Sequence, residues 1–314
     1  MDDEAGPMPK AADQQDTSAE DVSAIVDRML RLAEDSGALA LAKRERGLRI
    51  THKGGDLGQT LTETDLEISA LLHERFGPRV IEEETAEDLG RERAATLLAE
   101  ADWTFIADPV DGTKPYAGGL PGWGTMIAAC RRGQPLASVC ILPGWVEARD
   151  ELPTPVAAAD QRGLLLAAWD GTAYWAPTRG GRRSQPLQAL VRSTRPTFHV
   201  GWLSVATQLF NLDRTQGFYP WCESSSVADL ALLATGRLDA STACGKIWDV
   251  APGLPILRAL GFDLYRWPDL APGPAALIDV FDANLFAGDT LWLICRDMPQ
   301  AEALRRAIRR ADQS

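Results

Sequence analysis

The chain has 314 residues, 45% of them hydrophobic, enough for one large domain or two moderate ones with a sizeable core. Its formal charge of -12 and the lack of any long Lys/Arg run exclude the basic stripe that a nucleic-acid polymer requires. Cys130, Cys140, Cys222, Cys244 and Cys295 lack the spacing of a zinc knuckle or a redox pair, and no apolar run is long enough to cross a bilayer, so a reduced, cytoplasmic protein with no membrane partner is expected.

Residues 1–18 are polar and without periodicity, which predicts a disordered tail. From Ala19, Val22, Ile25, Val26, Met29, Leu32 and Ala33 recur at helical spacing. A second helix opens at Thr64-Asp65 and is stopped by Gly77-Pro78. Strands are expected at Arg79–Ile81, Trp103–Ala107, Trp123–Cys130 and Ala137–Leu142, with a helix over Arg93–Glu100. Asp170-Gly171 marks a hairpin between two short strands in Leu164–Trp175. After a polar segment, Thr178–Gln185, helix and strand alternate: a helix at Val227–Ala234, a strand at Arg237–Thr242, a helix from Asp249, a strand at Thr290–Cys295 and a last helix from Pro299 to Ala311. The expected division is a half over 19–185 and a second over 186–314.

The chemistry gathers where strands end. The apolar run Phe105–Ala107 leads into Asp108-Pro109-Val110-Asp111-Gly112-Thr113, and Val80-Ile81 leads into Glu82-Glu83-Glu84. Each acid alone has an ordinary explanation: turn residues at 108 and 111, a solvated loop at 82–84, first-turn or capping acids at Asp65 and Asp249. Pro109, with fixed φ and no N–H, is expected to end the ladder and hold Asp108 at the rim of a sheet. Carboxylates brought to one rim raise each other's pKa unless a hard cation such as Mg2+ sits among them. Gly112 and Thr113 then offer amides and a hydroxyl to a phosphate oxygen.

Four motifs together, LTETD at 61–65, VIEEET at 80–85, DPVDGT at 108–113 and WDVAPG at 248–253, resemble those of the inositol monophosphatase superfamily, the magnesium-dependent, lithium-sensitive phosphatases. The resemblance runs from about Ala19 to the last helix. It implies an α+β fold, a layered α-β-α-β-α sandwich of the inositol monophosphatase and fructose-1,6-bisphosphatase type, with most metal ligands in the first half and Asp249 and the specificity residues in the second. By position, Glu83, Asp108, Asp111, Asp249 and the carbonyl of Val110 match metal ligands, and Asp65 matches the acid that holds a water on a further metal. Thr113, with Glu83 or Asp65, matches the group that orients the attacking water, and Gly112 and Thr113 match the phosphate-gripping amides. Two or three Mg2+ ions are implied, with Mn2+ as a substitute, as is a homodimer. The paired aspartates then make sense, because cations in two-metal sites lie about 3.5–4 Å apart.

Substrate contacts are expected from Ser224, Ser225 and Ser226, where the family has a Gly-Ser/Thr-Ala stretch, and from Thr242 and Lys246. Thr242 stands where inositol-specific members carry an acid, and Gly261-Phe262 replaces a Gly-Gly pair. Lys114 in DGTK, followed by Trp123, resembles the histidinol-phosphate phosphatase branch. Lys53 beside Gly54-Gly55 fits a lid loop, and Trp202 and Trp221 fit pocket walls. The expected function is Mg-dependent hydrolysis of a small phosphate monoester (histidinol, inositol or sugar phosphate) by metal-activated water. The rivals are a nucleotide 3'-phosphatase or fructose-bisphosphatase-like bisphosphatase and, in another class, a catalytically retired binding protein.

Overall fold

The computed structural model describes residues 21–52, 60–145, 158–191, 197–202, 204–222, 225–273, 285 and 290–311. The expected tail, Lys53 with Gly54-Gly55, and Ser224 lie outside the described residues. In chain order the first half comprises α1 (Val22–Arg46), β1 (Ile50–His52), β2 (Thr60–Thr62), α2 (Glu63–Phe76), β3 (Val80–Glu82), α3 (Ala86–Leu89), α4 (Arg91–Glu100), β4 (Thr104–Asp111), α5 (Thr113–Ala117), β5 (Gly124–Arg131), β6 (Gln134–Leu142), β7 (Arg162–Trp169), β8 (Thr172–Arg179), β9 (Arg182–Arg183) and β10 (Gln188–Ala189). The second comprises β11 (His199–Gly201), α6 (Ser204–Leu209), β12 (Phe210–Leu212), β13 (Tyr219–Trp221), α7 (Ser226–Ala234), β14 (Ala240–Ala243), α8 (Ile247–Val250), α9 (Leu254–Ala259), β15 (Asp263–Arg266), β16 (Trp292–Cys295), α10 (Met298–Ala307) and β17 (Ile308–Arg310).

Alternation along the strands sorts the apolar residues into layers, because successive side chains point to opposite faces. In the large sheet, ordered β10-β8-β7-β6-β5-β4-β3, Phe105, Ala107, Ile127, Ala129, Val139 and Ile141 face α1 and α2, burying Ile25, Met29, Leu32, Ile68 and Leu72. Their neighbours Ile106, Met126, Ala128, Cys140 and Leu142 face the opposite way, against α7, α8 and α9. The same central helices cover Ala243, Trp292 and Ile294 of a second sheet, ordered β13-β11-β14-β16-β15. Val200, Ala240, Leu293 and Cys295 on its far face pack against Ala301 and Leu304 of α10. The result is five layers, helix, sheet, helix, sheet, helix, as expected.

Several local expectations change. α1 extends well past Ala33, and its last turn carries Lys43, Arg44 and Arg46, which suit the negative end of the helix dipole. β4 does not stop at Ala107; it continues through Pro109 to Asp111. Proline is tolerated there because β3 pairs with β4 only up to Ala107, leaving that side of Pro109 without a ladder partner. β10 lies past the expected boundary at 185 and still pairs with β8. The last helix ends at Ala307, and Ile308–Arg310 forms a strand against Phe210–Leu212. Trp202 is a core residue of the outer layer rather than a pocket wall, whereas Trp221 is half-exposed on the edge strand β13. Every cysteine is a free thiol, and among the described residues no helix is long and apolar enough to cross a membrane.

Candidate active site

Two carboxylates three positions apart on a regular strand would point to opposite faces. Here Asp108 pairs with Met126 and Asp111 with Gly124, so β4 carries one residue more than β5 over this step, a β-bulge at Pro109-Val110. The extra residue restores the parity and turns both carboxylates toward the central helices. Asp111 meets the N-terminus of α7: its oxygens accept from Ser225 Oγ, from Val227 N at 2.6 Å and from Ser226 N at 3.2 Å. Asp249, on α8, arrives from the central layer, its Oδ2 accepting from Lys246 N at 2.7 Å. Oxygens of Asp108, Asp111 and Asp249 all lie within 4.8 Å of one another.

Asp65 occupies the first turn of α2, where a capping box holds it: Thr62 N donates to its Oδ2 at 2.8 Å, joined by Thr62 Oγ1. Its other oxygen accepts from Thr113 Oγ1 at 3.2 Å, and Thr113 Oγ1 also lies 2.9 Å from the carbonyl of Val110. Glu83 leaves the end of β3 half-buried, and its negative charge acts on Asp65, Asp108, Asp111 and Asp249 alike. The predicted metal-site acids therefore share one electrostatic environment, although they come from four separate segments.

The electrostatics are those of crowded, desolvated acids. Burial, then the charge of Glu83, holds the Asp108 carboxyl well above the usual carboxylate range. Burial pushes Asp249 up to about 8, with the charges of Asp111 and Glu83 adding to it. Asp65 and Asp111 are each pushed up to about 6 by burial, although hydrogen bonds from Thr62 and from Ser225 and α7 pull the other way. A cation fits this donor set by one further observation: Oδ1 of Asp108, fully buried, has no hydrogen-bond partner among the described residues. A buried carboxylate oxygen left without a donor is unfavourable, and a hard divalent ion with oxygen ligands satisfies it.

Gly112 has φ of 80°, and a Cβ there would lie 2.9 Å from the carbonyl of Gly122 and 3.0 Å from Cβ of Ser225, so the residue that opens α5 has to be glycine. The amides of Gly112 and Thr113, at the start of α5, have no partner inside the helix. A Cβ at Gly245 would sit 2.3 Å from Oδ2 of Asp249. Gly245→Ala is therefore expected to displace that carboxylate and weaken divalent-metal binding by roughly tenfold or more, measured by calorimetric titration, while the circular dichroism spectrum stays unchanged.

Some sequence expectations are redirected. Ser225 is buried, and its hydroxyl serves Asp111 and caps α7 through Ala228 N, so it is not turned toward a substrate. Its place before an apolar run is an N-cap signal that could have been read. Thr242 is likewise buried and donates to the carbonyl of Gly201 at 3.1 Å. With Ser226, Asp229, Ser241 and Asp249 it lines a cavity of about 30 Å³, room for about one water. Lys246 is half-buried at the edge of the cluster with Nζ 5.8 Å from the Trp248 ring, and Lys114 is exposed. Glu82, read as part of a solvated loop, is fully buried. Its partners are Ser69 and His73 of α2 together with Thr85 and the backbone N of Glu84, and the share of α2 cannot be seen in the acidic run itself.

The profile of the inositol monophosphatase family matches residues 21–280. The inositol-1-monophosphatase of Rhizobium meliloti is 27% identical over 248 residues, 76% of this chain and 81% of that protein. The extragenic suppressor protein SuhB of Bartonella henselae superposes with a TM-score of 0.60 at 17% identity, covering 90% of this chain and 98% of the other. A staphylococcal inositol monophosphatase-1, solved as a LiCl-soaked inhibitory complex, gives 0.57 at 14% identity over 92% and 95% of the two chains. The chain thus belongs to the inositol monophosphatase family, metal-dependent phosphatases that hydrolyse phosphoric monoesters.

Proposed function

We propose that this rim holds Mg2+, two or three ions, and hydrolyses the phosphate monoester of a small alcohol, with histidinol, inositol or sugar phosphate as the substrate. The observation that carries the reading is the partnerless buried oxygen of Asp108 inside a cluster of desolvated carboxylates. Glu83, Asp108, Asp111, Asp249 and the carbonyl of Val110 would hold the metal, with Asp65 holding a water beside it. Divalent ions in such a site lower the pKa of a bound water and offset negative charge on the attacking and departing oxygens. The chain supplies the rest. Thr113 Oγ1, between the Val110 carbonyl and Asp65, orients the attacking water. Asp65, held by Thr62 and hydrogen-bonded to Thr113, or Glu83 would take up the proton that the attacking water releases. The amides of Gly112 and Thr113 grip the phosphate, and Ser226 and Lys246 stand on the leaving-group side. An in-line displacement needs no phosphoenzyme, and positioning with charge stabilisation supplies most of the acceleration.

A bisphosphate substrate needs a second anion pocket, and among the described residues the lysines beside the motifs are the half-buried Lys246 and the exposed Lys114, which favours a monophosphate. The family relationship and reduced thiols fit a cytoplasmic homodimer. Phosphate release from a panel of histidinol, inositol, sugar and nucleotide phosphates tests the reading. Turnover of a monophosphate with Mg2+, inhibited by lithium in a dose curve, is expected. No turnover of any ester, together with no calorimetric binding of Mg2+ or Mn2+, would favour the retired binding protein instead.

A further inference from the structure

We propose that Glu82 is a positioning residue that sets the affinity of the metal centre by fixing the backbone around Glu83 and tying it to the helix that carries Asp65. The inference rests on the site reading above. Glu82 is the last residue of β3 and has no exposed surface. Its Oε2 accepts from the backbone N of Glu84 at 2.7 Å, so the side chain reaches forward over its own backbone and closes a ring that contains Glu83. Its Oε1 accepts from Thr85 Oγ1 at 2.7 Å and from Ser69 Oγ at 2.9 Å, and lies 3.3 Å from His73 Nε2. Ser69 and His73 belong to α2, the helix whose first turn holds Asp65. One carboxylate therefore bolts two otherwise separate carriers of site acids together, the end of β3 and α2.

The donors explain why a carboxylate is needed. Backbone N–H and hydroxyl groups converge on its two oxygens, and hydrogen bonds to an ionised acceptor are about twice as strong as neutral ones. A glutamine in its place either sets N–H against the N–H of Glu84 or, turned the other way, keeps that bond and points its N–H groups at the Ser69 and Thr85 hydroxyls, which must then change from donors to acceptors. Either way the charge that strengthens every one of these bonds is lost. The loss frees the Glu83 peptide without removing any group that touches substrate or metal. Outer groups of this kind typically change metal affinity by about 10–100-fold when removed.

The test is calorimetric titration of the metal-free protein with Mn2+ alone, for the wild type, Glu82→Gln and Ser69→Ala, with phosphate-release kinetics over a metal series on the same samples. Glu82→Gln is expected to bind Mn2+ about 10–100-fold more weakly, with kcat at saturating metal within about threefold of the wild type, and Ser69→Ala to fall between. A merely structural role would lower the folded fraction without moving affinity per folded molecule. Should Glu82→Gln fail to fold, Ser69→Ala decides, because it deletes one donor and keeps the carboxylate. Wild-type affinity in a folded Glu82→Gln, or in Ser69→Ala where only that variant folds, overturns the proposal, as does a lost kcat at unchanged affinity. Failure of the wild type to bind Mn2+ overturns the site reading itself.

Discussion

Asp111→Asn is expected to reduce kcat for phosphate release by roughly 10³-fold or more, the scale on which removal of a preorganised charged group acts in a water-excluded site. The size follows from two losses at one residue. Both oxygens of Asp111 accept from the start of α7, from Ser225 Oγ, Ser226 N and Val227 N, so an amide there opposes N–H to N–H whichever way it is turned. The charge that complements a divalent cation is lost as well. Glu83→Gln is expected to fall as far, because its charge acts on every other site acid. Circular dichroism should show both variants folded, since the layers are held mainly by the apolar contacts on the two faces of the large sheet. Near-normal turnover in either would refute the assigned role.

A second large effect should appear without any substrate. In metal-free protein the folded-state values of Asp65 and Asp111 lie near 6 and that of Asp249 near 8, against 3.8 for the unfolded chain. The folded state therefore binds more protons than the unfolded state between about pH 4 and pH 8. By linkage, stability is fully present below about pH 4 and is lost as pH rises through 6 and then 8. The thermal midpoint in EDTA is expected to fall on going from pH 5 to pH 8.5. Asp249→Asn, which removes the carboxyl raised to about 8, should be more stable than the wild type at pH 8.5 in EDTA, by at least about 1 kcal/mol, or a few degrees in a domain of this size. Saturating Mg2+ should restore the wild type and not the variant, because a ligand that binds only the folded state stabilises it by mass action. A midpoint that rises with pH in EDTA would show that the acids are not crowded.

What the sequence made legible follows from how each feature is encoded. The second helix, the hairpin at Asp170-Gly171 and the strands at 80–82 and 124–131 are written locally, in periodicity, caps and turn residues. The acids that converge were legible because DPVDGT and WDVAPG set them at fixed offsets. The bulge at Pro109-Val110 was not: proline read as a strand end, and only the register against β5 reveals the extra residue that sets Asp108 and Asp111 on one face. Three-residue strands such as β11, β12, β13 and β17 are too short to show a period. Glu82 escaped because an acid in a polar run reads as solvated until Ser69, His73 and Thr85 are seen to close on it, and Ser225 because its bond to Asp111 appears only once β4 and the start of α7 are brought together.

The central claim is that distant acids converge on divalent ions beside the Gly112-Thr113 turn. Anomalous diffraction from crystals soaked in Mn2+ and phosphate tests it most directly. The account predicts manganese peaks bounded by Asp108, Asp111 and Asp249, with phosphate against the first turn of α5. Manganese found only elsewhere, or no peak at saturating concentration, would contradict it.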